Sequence, residues 1–191
     1  MGYDTEYFGI ISLNKPLDDE TYTFLTQLAK TRRMKRNLGP EYGIEGEYFV
    51  EGDWNTEPRP ETILDYNNPP SIQPGLWCQW VPTEDRQGLE WDGGEKFYCG
   101  PEWMDYIIHR ILAPKGYVCN GTLVAQGEED NNDYWKLYVK NNIVSTDYSI
   151  MPGSFIAQVP KEDLPTILKD INETYANSAL AKVIFFERLN Y

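Results

Sequence analysis

Hydrophobic and polar positions alternate over residues 3–13, where aromatic and β-branched types dominate, and this pattern predicts a half-buried strand. After Lys15-Pro16-Leu17, Asp18 suits a helix N-cap and Asp19 and Glu20 suit its first turn. Tyr22, Leu25, Leu28 and Ala29 share one face of a helix reaching to about Met34. Residues 37–74 are rich in Gly, Pro and Asn, and only residues 47–50 look like a strand. This long connection carries Tyr42, Tyr48, Phe49, Trp54 and Tyr66, which an inert spacer would not need. Residues 76–81 read as a strand and 89–92 as its hairpin partner, with Gly93-Gly94 as the following turn. Gly100-Pro101 opens a second helix, in which Trp103, Met104, Ile107, Ile108, Ile111 and Leu112 form an apolar arc before Pro114. Three more strands are expected at 117–126, 134–140 and 143–147.

The last part of the chain patterns as a unit of its own: strand 154–159, helix 161–175 and strand 182–189. Leu164, Ile167, Leu168, Ile171 and Tyr175 recur at helical spacing. The expected organisation is an α+β core domain over 1–147 and a β-α-β extension over 148–191 packed on it. The sheet should be mainly antiparallel, with two to three helices packed on one face.

Composition narrows the class. In 191 residues, 41% are hydrophobic, enough to build a core. Thirty Asp and Glu against 17 Lys and Arg leave a net charge of −13, which opposes direct docking to nucleic acid or to an anionic membrane. No apolar run approaches the roughly 18 to 20 residues of a membrane span, and the start, MGYDTEYFG, lacks a basic segment followed by an apolar one. A cytoplasmic protein is expected. Cys78, Cys99 and Cys119 are odd in number and lack CxxC spacing, so reduced thiols are expected.

The charge is unevenly placed. Residues 1–40 and 148–191 are close to neutral, while 41–147 carry 20 acids against 7 bases. The acids are densest in 41–66, where Glu41, Glu45, Glu47, Glu51, Asp53, Glu57, Glu61 and Asp65 face one base, Arg59. Just before them stand Lys30, Arg32, Arg33, Lys35 and Arg36. Cations at the end of a helix suit its dipole, and here they could also pair with the acidic segment or bind phosphate.

Candidate chemistry is sparse. His109 is the lone histidine; the helical wheel sets it opposite the apolar arc, one turn from Asp105. A carboxylate and histidine site would combine it with Asp92 or Glu95 of the double-glycine turn. The acidic loops lack a calcium-loop pattern, so no metal site and no cofactor are expected; no phosphate-cradling, dinucleotide, nucleophile-elbow or zinc-protease motif occurs. Trp54, Tyr66 and Trp77 are candidate walls of an aromatic groove, although core packing is the expected use of most of the six tryptophans.

The strings Asp65-Tyr66-Asn67-Asn68-Pro69-Pro70, Gln73-Pro74-Gly75-Leu76-Trp77-Cys78-Gln79-Trp80 and Glu90-Trp91-Asp92-Gly93-Gly94-Glu95-Lys96-Phe97-Tyr98 resemble those of a family of small uncharacterised proteins in bacteria and their phages. The resemblance continues through Trp103, Gly116-Tyr117, Asn120-Gly121 and Gln126-Gly127-Glu128 and covers roughly 1–147. It implies a prokaryotic or viral setting and a cytoplasmic location, and it carries over no functional residue. The expected function is a non-enzymatic acidic binding protein, phage-encoded and acting on a host or defence protein. Its partner would present a basic surface, and nucleic-acid mimicry is the strong form. Glu47, Glu51, Asp53, Glu57 and Glu61 would make the contact, with Trp54, Tyr66 and Trp77 beside them. The alternatives are a small hydrolase or transferase using His109, Asp92 and Glu95, and a structural or assembly protein.

Overall fold

A computed structural model describes residues 2–43, 46–50, 60–128 and 133–147. All lie in the first of two units, Met1–Ser149 and Ile150–Tyr191. The β-α-β extension expected over 148–191 falls outside the described residues.

The expected first strand forms as two, β1 (Thr5–Phe8) and β2 (Ile11–Leu13). Gly9, at φ 121°, interrupts the ladder between them. Asp18 caps α1 (Asp19–Lys30), its side chain accepting from the Thr21 amide at 2.7 Å. The helix stops four residues before Met34. Lys35–Arg36 instead form β3, which pairs with β4 (Ile63–Asp65) in a small separate sheet. Residues 47–50 form no strand. β5 (Trp80–Pro82) and β6 (Gly88–Trp91) pair as a hairpin, but β5 is short: residues 76–79 of the expected strand 76–81 form no strand. The second helix begins as α2 (Gly100–Tyr106) and widens to a π-helical stretch over Ile107–Leu112. β7 (Cys119–Gly127), β8 (Tyr134–Lys140) and β9 (Ile143–Asp147) complete the set.

The main sheet has seven strands, ordered β5-β6-β2-β7-β8-β9, with β1 also on β7, and every pairing is antiparallel. The described chain is thus mostly antiparallel sheet with two helices. β1 and β2 pair with β7 in one unshifted register, from Thr5 opposite Gly127 to Leu13 opposite Cys119. They are one strand interrupted, not two strands offset. Gly121 marks the interruption on β7: a Cβ there would lie 2.7 Å from the carbonyl oxygen of Ile10.

The core is aromatic at its centre. Tyr7 meets Trp80, Trp135 and Phe97 edge to face at 4.9, 5.6 and 5.7 Å. The expected apolar arc of the second helix is buried in full, from Trp103 to Leu112. Cys78, two residues before β5, and Cys119, at the start of β7, are buried, and Cys99 is exposed. Among the described residues no helix is long and apolar enough to cross a membrane.

Candidate functional site

A cleft opens where the main sheet divides. β6 runs beside β2, with Leu89 opposite Ile11, and continuing that register would set residue 93 opposite residue 7. The chain turns away first. Gly93 adopts φ 80°, and the Asp92 carboxylate accepts from the Gly94 amide at 2.8 Å. The Asp92 amide meanwhile donates to Gln79 at 3.0 Å, so this stretch follows β5 and leaves β1. Asp4, Thr5 and Glu6 form one wall of the resulting cleft of about 440 Å³; Trp91, Gly93, Gly94 and Glu95 form the facing wall, and Gln126, Gly127 and Glu128 of the β7 end form the third.

Hydrogen bonds hold the rim. The Asp4 amide donates to Glu128 Oε1 and the Glu128 amide to the Asp4 carbonyl, each at 3.0 Å. Asp4 Oδ1 accepts from the Lys96 amide, and Gln79 donates to the Glu95 carbonyl at 2.9 Å. Trp91 Nε1 donates to Gln79 Oε1 at 3.3 Å. Asp4, Glu6, Glu95 and Glu128 thus converge on one cleft with an indole wall, and among the described residues none of the four is in an ion pair. Such a place favours a cationic, partly apolar group. Asp92, in the turn, has its carboxyl raised by burial, a shift opposed by the Gly94 amide.

Glu95 alone of the three sequence-derived catalytic candidates lines the cleft. Asp92 stands in the adjoining turn. His109 is not among the lining residues: its Nδ1 lies 3.0 Å from Asp105 Oδ1 and 3.1 Å from the Asp105 carbonyl, about half exposed on its own helix. Among the described residues no cluster of His, Cys, Asp and Glu could hold a metal ion.

Glu47 and Glu61 of the acidic segment are exposed, while Glu51, Asp53, Trp54 and Glu57 lie outside the described residues. Tyr66 and Trp77 do approach one side chain, but it is a cation from the protein itself. Arg32 donates to the Tyr66 carbonyl at 3.0 Å and sits 5.9 Å from the centre of the Trp77 ring.

Arg33, at the centre of the basic cluster before the acidic segment, is used on neutral groups. Arg33, fully buried, donates from Nε to Gln73 Oε1 at 2.8 Å, from Nη1 to the Tyr48 carbonyl at 2.5 Å and from Nη2 to the Gly46 carbonyl at 2.8 Å. Burial lowers its pKa, and among the described residues no carboxylate counters this. Arg36 donates to Thr62 Oγ1 at 3.2 Å, and the Asn37 amide to the Thr62 carbonyl at 2.8 Å. Both described flanks of the acidic stretch are therefore tied to the cluster, 46–48 by Arg33 and 62–66 by Arg32, Arg36 and β3.

Sequence reasoning missed Asp4, Glu6, Trp91, Gln126 and Glu128 as members of one site. The pairing of Thr5 with Gly127 unites them, and no local signal carries it. Comparison of the chain with protein-family models, with curated proteins and with solved structures gives no match.

Proposed function

We propose that the protein is a non-enzymatic binding protein that engages a basic surface of a protein partner through clustered carboxylates. The convergence of Asp4, Glu6, Glu95 and Glu128 on a cleft walled by Trp91 supports this most directly. A lysine or arginine side chain of the partner fits such a cleft by charge and by stacking. The concentration of acids in 41–66, flanked by anchors that spend their cations on carbonyls, supports the same reading. In its strong form Glu47, Glu51, Asp53, Glu57 and Glu61 stand in for nucleic-acid phosphates. The setting is a bacterial or phage-infected cytoplasm, the partner is a host or defence protein, and the two helices cover one face of the sheet so that the acids face outward.

The test is affinity capture from the native host at low and high salt, with wild type and two neutralised variants. One variant carries Asp4→Asn, Glu6→Gln, Glu95→Gln and Glu128→Gln; the other neutralises the five acids of the 47–61 stretch. The reading expects a partner captured at low salt, released by added salt and lost with one variant or both. A partner indifferent to salt and to both variants would remove it.

A further inference from the structure

The chain at residues 46–50 has an unusual support. Among the described residues, no backbone-to-backbone hydrogen bond joins it to the rest of the protein. Its ties run through side chains. Arg33 donates to the carbonyls of Gly46 and Tyr48, and Gln73 Nε2 donates to the same Gly46 carbonyl at 2.6 Å. The Tyr48 hydroxyl donates to the Met34 carbonyl at 2.7 Å, and Phe49 meets Phe24 of α1 edge to face at 4.9 Å. The guanidinium lies 4.9 Å from the Tyr48 ring centre and 5.5 Å from that of Phe49. One arginine therefore holds two of the five carbonyls and stacks against two of the four side chains.

The energetics of such a support differ from those of the sheet. A buried guanidinium without a carboxylate partner carries a desolvation cost that its neutral acceptors only partly offset. Opening residues 46–50 releases two of the three acceptors of Arg33 while breaking no strand ladder. The seven-stranded sheet must lose its ladders and aromatic core together.

We infer that residues 46–50 form a strap that opens as a unit, separately from the main sheet, with Arg33 as the clamp that sets how often it opens. On the reading proposed above, where the acidic stretch meets the partner, the clamp governs the position of the segment that precedes residues 51–59. Arg33 is then a positioning residue, not a contact.

Native-state proteolysis of the full chain tests this, with chymotrypsin cutting after Tyr48 and Phe49 and the sites identified by mass. When opening is fast relative to cleavage, the rate reports the open population, and its dependence on urea reports the surface exposed. Wild type should be cut slowly at these two bonds, with a shallow urea dependence below the unfolding transition. Arg33→Met should be cut there at least tenfold faster, still with a shallow dependence, while cutting within β8 at Tyr134 and Tyr138 stays slow. Arg33→Lys, with one ammonium for three acceptors, should fall between. Tyr48→Phe, which keeps the cleavage site and loses the bond to Met34, should also speed cutting and serves if Arg33→Met does not fold. A steep urea dependence at residues 48 and 49, or acceleration matched by that in β8, would show that the strap opens only with the whole domain and would overturn the inference. No partner enters this measurement: a strap that opens locally in a protein that captures no basic partner leaves the clamp standing and removes the binding reading.

Discussion

Tyr7 and Trp80 meet edge to face at 4.9 Å with their planes at 73°, joining β1 to β5 across the centre of the core. Trp80 is fully buried, and its Nε1 donates to the Gly100 carbonyl at 2.8 Å, so one indole ties the edge hairpin to the start of α2. Trp80→Phe keeps an aromatic ring but loses this bond and leaves a void. It should destabilise the domain by about 2 kcal/mol, read as a lower urea midpoint at unchanged slope.

Gly121 lies against the interruption between β1 and β2, at φ 157°, and an added Cβ would meet backbone there, not a movable side-chain end. Gly121→Ala should therefore cost about 2 kcal/mol or more in thermal or urea unfolding. The same change at Gly93, where φ is 80° but a Cβ would meet nothing within 4 Å, should cost less, since backbone strain acts alone.

Asp18 carries an acid-dependent contribution. Hydrogen bonds from Thr21, and then from Tyr117, hold its carboxyl at about 2, below the ordinary 3.8. A depressed folded pKa means that the contribution is fully present above about 4 and is lost as pH falls towards 2. Asp18→Ala should lower stability at neutral pH by about 1 kcal/mol and converge with wild type at the acid end. Parallel stability curves for the two proteins from pH 5 to pH 2 would contradict this assignment.

Thiol chemistry should distinguish the cysteines. Burial pushes the Cys78 thiol up to about 12 and that of Cys119 up to about 11, whereas Cys99 is exposed. At pH 8 a disulfide reagent should label Cys99 alone in the native protein and all three thiols in denaturant. Early labelling of Cys78 would mean that the chain leading into β5 opens readily.

The legible parts of the sequence were those with local periodicity. β8 and β9 form over the expected residues because their alternation and the intervening Asn141-Asn142 turn are self-contained. The apolar arc of the second helix is buried as expected, and its widening into a π-helix from Ile107 leaves no trace in that arc. Residues 47–50 had the composition of a strand but found no partner strand, and Arg33 took up two of their carbonyls instead. The position of the basic cluster after a helix suits the dipole, acids or phosphate, yet Arg33 serves neutral oxygens.

Sequence alone determined the β8–β9 pair, the buried arc of the second helix, and the concentration of carboxylates in the middle of the chain. These follow from neighbours a few residues apart, through side-chain alternation and helical spacing. Tertiary structure alone decided that Thr5 pairs with Gly127 and that β6 leaves β1 at Gly93-Gly94, and so brought Asp4, Glu6, Glu95 and Glu128 around Trp91. The reason is physical: a strand's pattern states which face it buries and not which strand it will pair with, so a site made at the parting of two strands exists only once the whole sheet is assembled.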